Sequence, residues 1–145
     1  LLRMIINQLP LKLAHMWLIP FYIQLIMDEL RRAKNQITTH RIDVAITSIL
    51  DNRNHFEHWH SRLKTLSDNE YKFAKDVLNN ASEHGTITST SIINIGEKHA
   101  LSEDQAKEIR KALVYDGYIN NNDNLGEYRF NSPILKMWWA KNVAN

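Results

Sequence analysis

The chain has 145 residues, of which 43% are hydrophobic and 23% charged, and its formal net charge is +2. This length and composition indicate one globular domain of ordinary size or two small ones, and they exclude a disordered chain. The absence of cysteine excludes disulfide scaffolds, thiolate zinc sites and cysteine nucleophiles, and it suits a reducing, cytoplasmic location.

The start of the sequence predicts a helix but no membrane span. Because the chain begins at Leu1 rather than Met and shows no signal-peptide cleavage pattern, we expect it to be part of a longer protein. Lys12, His15 and Asp28 interrupt the most apolar stretch, so no uncharged run reaches the ~20 residues that a membrane helix needs. After Pro20, apolar residues recur at helical spacing and predict an amphipathic helix: Ile23, Ile26, Met27 and Leu30.

Two further helices are predicted in the middle of the chain. Thr38 and Thr39 offer N-caps for a long helix that ends near Lys64. Its apolar stripe consists of Ile42, Ala45, Ile46, Ile49, Phe56, Trp59 and Leu63. The run 67–70, Ser-Asp-Asn-Glu, is a capping box that begins the next helix, and Gly85 can end that helix in the left-handed conformation.

Short elements then follow in a fixed order. A β-branched stretch over 86–90 leads to a short helix, and a second capping box at 102–105 begins a helix that Gly117 closes. Four residues of that helix are predicted to face inward: Ala106, Ile109, Ala112 and Leu113. The strands 118–119 and 127–130 predict a β-hairpin, because turn-forming residues separate them.

The last predicted helix begins at Pro133, with Ser132 as its capping residue. The whole order, with a helix, a short strand, two helices and a hairpin, is that of a winged helix, a helix-turn-helix variant with a β wing. The sequence therefore predicts a mainly α fold, in which a helical segment over residues 1–65 precedes a winged-helix domain over residues 66–145.

A winged helix suggests DNA binding, and four cations are the candidates for phosphate contacts: Lys107, Arg110, Lys111 and Arg129. Charge argues against this use, because residues 66–145 carry nine Lys and Arg against eleven Asp and Glu. Residues 1–65 carry nine against five, so the basic excess lies outside the winged helix. The other interpretation is that the four cations solvate the surface and pair with acidic neighbours, as Glu103 with Lys107.

Two other groups of residues attract attention. Trp138 and Trp139 are adjacent on one helix and point about 100° apart, so one of them marks a protein interface or both belong to a broad core. His55 and His58 have a spacing that metal sites use, but the pattern lacks the zincin helix geometry, and we assign no metal. No nucleophile elbow or other catalytic motif is present.

Two segments carry a family resemblance. Residues 19–30, IPFYIQLIMDEL, and residues 128–139, YRFNSPILKMWW, resemble the C-terminal half of the archaeal-type AAA+ ATPases, which belong to the STAND class of P-loop NTPases. The family patterns are roughly P-[FY]-[YF]-[IL]-Q-L in a helical lid and Y-x-F-x-S-P-[IL]-L-x-x-W-W in a winged helix. The resemblance spans about residues 15–143.

The resemblance implies that this chain is the helical lid and winged helix of such an ATPase. The Walker motifs, ATP and Mg²⁺ would then belong to a core elsewhere in the parent chain, and this part would be non-catalytic and hold no cofactor of its own. Pro20 matches the lid proline that contacts adenine in STAND proteins, although Leu18 stands where the family has Gly. The implied partners are the ATPase core of the same chain and a further protein, to which the winged helix relays the nucleotide state. The alternative function is a DNA-binding winged-helix module.

Overall fold

The computed structural model describes residues 20–32, 38–52 and 56–144. It is mainly helical, with a small three-stranded antiparallel sheet. The chain divides into two compact units, Leu1–His55 with Ser132–Ile134, and Phe56–Asn131 with Leu135–Asn145. The second unit thus begins ahead of residue 66, where the sequence predicts the winged helix to start. Within the described ranges, no helix is sufficiently long and apolar to cross a membrane.

The first unit contains a pair of helices, α1 (Pro20–Arg32) and α2 (Thr39–Asp51). The Thr38 side chain caps α2 by accepting the Arg41 amide at 3.4 Å, as predicted. The Ser48 hydroxyl donates to a carboxylate oxygen of Glu29 at 3.0 Å and links the two helices. The buried side chains of the pair are apolar: Ile26, Leu30, Ile42, Ala45, Ile46, Ile49 and Leu50.

The single long helix predicted from Thr38 to Lys64 is wrong. The helix α2 ends at Asp51, its C-cap Asn52 is extended with φ −82° and ψ 91°, and a separate short helix, α3, covers Glu57–Leu63. Asn favours such exits, because its short amide competes with the backbone for helical hydrogen bonds. The apolar stripe did not reveal the break, since both helices bury their share of it. Residues 53–55, including the candidate ligand His55, lie outside the described ranges.

Three helices build most of the second unit: α4 (Asp68–His84), α5 (Ser89–Lys98) and α6 (Glu103–Tyr115). Both predicted capping boxes form, at Ser67 before α4 and at Ser102 before α6. Gly85 ends α4 with φ +88°, as predicted. The apolar face of α4 is fully buried at Phe73, Ala74, Val77, Leu78 and Ala81.

The α5 and α6 helices pack so closely that their contact requires a glycine at position 96 on α5. A Cβ on Gly96 would lie 2.9 Å from the Cβ of Ala106 on α6, closer than real side chains approach. Between the helices, Ala100 has φ 56°, a left-handed conformation that non-glycine residues rarely adopt. Ala112 is exposed on α6, so its predicted inward orientation is wrong, whereas the other three predicted positions are buried: Ala106, Ile109 and Leu113.

The sheet has the strand order β1-β3-β2 and is antiparallel throughout. Its strands are β1 (Ile87–Thr88), β2 (Ile119–Asn120) and β3 (Glu127–Phe130). The predicted hairpin is confirmed, with Ile119 opposite Phe130. The central strand β3 pairs on its other edge with β1, where Ile87 lies opposite Tyr128. The chain enters β2 through Gly117, whose φ of +80° confirms the predicted helix stop.

The last helix, α7, covers Pro133–Asn142 and begins where the sequence predicts. The capping role predicted for Ser132 is wrong, because its buried hydroxyl has no hydrogen-bond partner among the described residues. Trp138 and Trp139 are 2% and 0% exposed. The two indoles lie inside the folded chain, as in the core interpretation of this pair.

Candidate interaction surface on helix α6 and the hairpin

The three candidate cations on α6 are held within their own unit. Lys107 lies 2.6 Å from the Glu103 carboxylate, which confirms the predicted pair, and Lys111 lies 2.7 Å from Glu108. The hydrogen bond from Lys107 and its charge lower the pKa of Glu103, and Glu103 raises the pKa of Lys107 in return. Both pairs lie on the helix surface in contact with water, so they neutralise charge without adding much stability.

The two arginines of this surface also have contacts. The guanidinium carbon of Arg110 lies 5.3 Å from the ring centroid of Tyr128 on β3, a cation–π distance. Arg129, on the same strand, forms a 2.6 Å salt bridge with Asp123 at the hairpin tip. The Nε atom of Arg129 is buried, and no described residue bonds to it. Arg129 therefore packs partly into the unit rather than projecting toward a ligand.

Sequence reasoning missed two exposed apolar side chains, one at the end of α6 and one in the hairpin loop. Tyr115, at the end of α6, is 91% exposed, and Leu125, in the hairpin loop, is 84% exposed. Tyrosine is enriched in the centres of protein interfaces, because it combines a large contact area with a hydrogen-bonding group. The sequence did offer an indication that Tyr115 is exposed, because it follows Leu113, the last inward-facing residue of the predicted helix. Helix α6 and the hairpin thus carry both paired charges and exposed apolar side chains.

The tryptophan pair of α7 differs in its hydrogen bonding. Trp139 donates its indole N–H to the side-chain oxygen of Asn79 on α4, at 2.8 Å. The indole nitrogen of Trp138 is buried and has no partner among the described residues. The Trp138 ring stacks on Phe56, with centroids 5.3 Å apart. Neither indole is exposed for a separate partner to contact.

The remaining candidate residues form no site in the described ranges. His58 is exposed, with its ring 4.3 Å from that of Trp59. His60 lies half-buried, with Nε2 3.2 Å from the Tyr71 hydroxyl, and burial, followed by Lys64, lowers its pKa. No group of three or more His, Cys, Asp or Glu residues suited to a metal ion occurs in the described part of the chain. Pro20 begins α1, and its side chain lies outside what the structure describes.

Asp116, the C-cap of α6, is a further residue that sequence reasoning missed. Its carboxylate pairs with Arg62 at 2.8 Å, and its carbonyl oxygen accepts the indole N–H of Trp59 at 3.1 Å. Both partners lie on α3, more than fifty positions earlier in the sequence, so no local pattern indicates the contact.

Comparison of the chain with protein-family models, with curated proteins and with solved structures gives no match.

Proposed function

We propose that residues 66–145 form a winged helix, and that the chain is the non-catalytic regulatory C-terminal region of an AAA+/STAND ATPase. In this proposal the helices before residue 66 form a lid that helps to close the nucleotide site. The winged helix relays the nucleotide state by docking on protein, either the ATPase core or a further partner. ATP and Mg²⁺ bind to the core, with Pro20 against the adenine, and the protein works in the cytoplasm.

The arrangement of the second unit supports the winged-helix part of the proposal. The elements follow in the order α4, β1, α5, α6, β2 and β3, and β3 lies between the other two strands. In a winged helix, the two helices before the hairpin form the helix-turn-helix, and the hairpin is the wing. Here α5 and α6 would be the helix pair, and residues 121–126 would be the wing tip.

The burial of the second resembling segment supports its use as a structural signature. Its aromatic and proline-flanked positions face the interior: Tyr128, Phe130, Ile134, Leu135, Trp138 and Trp139 are all buried. When two proteins share a pattern of buried core residues, the shared pattern supports a shared fold. It is not by itself a reason to share a ligand.

All four candidate cations already contact other side chains of this chain, and this observation favours protein docking over DNA binding. Lys107, Lys111 and Arg129 lie within 2.7 Å of a carboxylate, and Arg110 lies over the Tyr128 ring. A phosphate contact would have to compete with each of these contacts, which reduces the gain from counterion release. The DNA-binding alternative depends on the same four residues, since they occupy the helix and the wing that would meet the duplex.

Titration of a fluorescent DNA duplex with the 145-residue protein separates the two functions. We expect no saturable anisotropy change, even at about 50 mM salt, where electrostatic binding is strong. Four phosphate contacts would instead give a log–log salt slope of about −3.6, and replacement of Lys111 by Ala would reduce that slope by about 0.9. A slope of that size, reduced in this way, would establish the DNA-binding function and overturn protein docking.

The ATPase part of the proposal is tested on the gene and on the full chain. We expect the reading frame upstream of Leu1 to encode a Walker A motif, about 200 residues earlier, as one core domain requires. In the full chain, Pro20→Ala should weaken binding of a fluorescent ATP analogue, while Leu125→Ala, at an exposed position distant in sequence, should not. A start codon immediately before Leu1 would overturn this assignment.

A further inference from the structure

The short helix α3 packs against the rest of the second unit through one face, in the way that a bound amphipathic helix packs in a groove. Phe56, just before the helix, and Leu63, at its end, are 0% and 3% exposed, and Trp59 and His60 between them are half-buried. These positions are spaced i, i+3, i+4 and i+7, which places them on one helical face. The residues on the other face, Glu57, His58, Ser61, Arg62 and Lys64, are exposed. Anchors at this spacing are those of an amphipathic helix bound in a groove.

The floor of the groove is aromatic. Phe56 stacks on Trp138 at a tilt of only 21°. The His60 ring lies edge-on to Trp138 and Trp139, with centroids 6.3 and 6.4 Å away, and its Nε2 lies 3.2 Å from the Tyr71 hydroxyl. The contacts of α3 therefore reach both α4 and α7.

One end of the groove is polar and selects a particular ligand chemistry. Asp116 offers a carboxylate to Arg62 and a backbone carbonyl to the indole N–H of Trp59. The Tyr118 hydroxyl in turn donates to the backbone carbonyl of Trp59. Asp116 also lies at the C-terminal end of α6, where the helix dipole favours a cation. The groove thus recognises an aromatic N–H donor followed three residues later by an arginine.

The helix that occupies the groove has little stability of its own. The α3 helix has seven residues, whereas isolated helices shorter than about 12 residues are marginal in water. Its N-cap residue is Phe56, which makes no side-chain capping hydrogen bond, and among the described residues none of the preferred N-cap types stands at this position. The contacts with the groove therefore supply stability that a seven-residue helix lacks by itself.

We propose that this groove is an exchangeable helix-binding site, occupied in cis by α3, which accepts in its place an amphipathic helix of a partner protein. The partner helix carries an aromatic anchor, a tryptophan three residues later, and an arginine and a leucine six and seven residues after the first anchor. Charge complementarity with Asp116 and the anchor pattern of α3 define this occupant. The inference goes beyond the proposed function, since it holds whether or not the parent chain is an ATPase.

A labelled peptide tests the exchange. Fluorescein-labelled Phe56–Leu66 is titrated with the 145-residue protein and with its Trp59→Ala variant, which weakens the cis helix but leaves the groove intact. Because a tethered helix competes at millimolar effective concentration, we expect the variant to bind the peptide at least about tenfold more tightly than the wild type. A peptide with Arg62→Glu should bind the variant about threefold to tenfold more weakly, because charge reversal replaces a partly exposed ion pair by repulsion. A matched protein control, Ser61→Ala on the exposed face of α3, should bind like the wild type.

The outcomes that would overturn the proposal are specific. One is a folded Trp59→Ala variant, verified by circular dichroism, that does not bind the peptide more tightly than the wild type. If that variant does not fold, Arg62→Gln replaces it, because the Arg62 side chain is 58% exposed, and peptide affinity equal to that of the wild type would then overturn the proposal. A concentration-dependent wild-type dimer that either variant abolishes would overturn the choice of occupant, which would then be α3 of a second copy.

Discussion

Trp138 and Trp139 provide a matched pair for measuring the value of one buried hydrogen bond. Both indoles are buried on the same helix, but only Trp139 has a described partner for its N–H, the side-chain oxygen of Asn79 at 2.8 Å. Replacing each tryptophan by phenylalanine removes a similar amount of apolar surface. It removes a satisfied donor at position 139 and an unsatisfied one at position 138. The two variants should therefore differ in stability, although the two changes are chemically identical.

The size of the difference follows from three contributions. Shrinking a buried indole to a phenyl ring costs about 1 to 2 kcal/mol in lost burial and cavity formation. At Trp139 the lost hydrogen bond adds about 1 kcal/mol, with little further cost at Asn79, which is half-buried and open to water. At Trp138 the removal of a buried unpaired donor returns about 1 to 3 kcal/mol. Trp139→Phe should thus destabilise by about 2 to 3 kcal/mol, and Trp138→Phe by about 1 kcal/mol or less.

Urea unfolding followed by far-ultraviolet circular dichroism measures both variants without relying on tryptophan fluorescence. If the free energy of unfolding falls with urea concentration at the same slope in both variants, they expose the same surface on unfolding, and their midpoints can be compared directly. When Asn79→Ala is combined with each tryptophan variant, most of the difference in stability between Trp139→Phe and Trp138→Phe should disappear, because the acceptor for the Trp139 N–H is then absent. If Trp138→Phe destabilised as much as Trp139→Phe, the assignment of one satisfied and one unsatisfied indole would be refuted.

Two further changes have predictable effects. Ala100→Gly should stabilise the protein by about 0.5 to 1 kcal/mol and raise the melting temperature by about 2 °C, because glycine relieves the left-handed backbone at some cost in unfolded-state entropy. A lower melting temperature would contradict this. The control Ala112→Gly, at an exposed helical position on α6, should destabilise the protein by about 1 kcal/mol. Since burial and Lys64 lower the pKa of His60 in the folded protein, its neutral form is favoured there, and its stabilising contribution is complete above pH 6.5 and lost as the pH falls below that value. His60→Gln should therefore show a shallower loss of stability than the wild type between pH 7 and pH 5 in urea titrations, and parallel curves would exclude His60 as the cause.

Local signals in the sequence predicted the ends of several elements correctly. Ser67 and Ser102 begin helices, and Gly85 and Gly117 end them, because these effects depend on groups within a few residues along the chain. Ser132 shows the limit of such signals, since its position before a proline is right but its hydroxyl is buried without a described partner.

The candidate interaction surface was predictable only in part. Lys107 and Glu103 were paired from their spacing alone, because residues four apart are neighbours on any helix. The contact of Arg110 with Tyr128 joins a helix to the central strand, and the pair of Arg129 with Asp123 spans the hairpin. Neither contact has a fixed spacing that a sequence reader can use.

By itself, the sequence determined the mainly helical class, the capped helices and the hairpin. These features follow from periodicity and from turn and cap chemistry, which operate over a few residues. The tertiary structure alone decided that a continuous apolar stripe is divided between α2 and α3, and that Asn79 serves one tryptophan and not its neighbour. It also decided that α3 is seated against Asp116. Those outcomes depend on which distant side chains meet in the core, and packing of that kind is set by the whole fold rather than by any local segment.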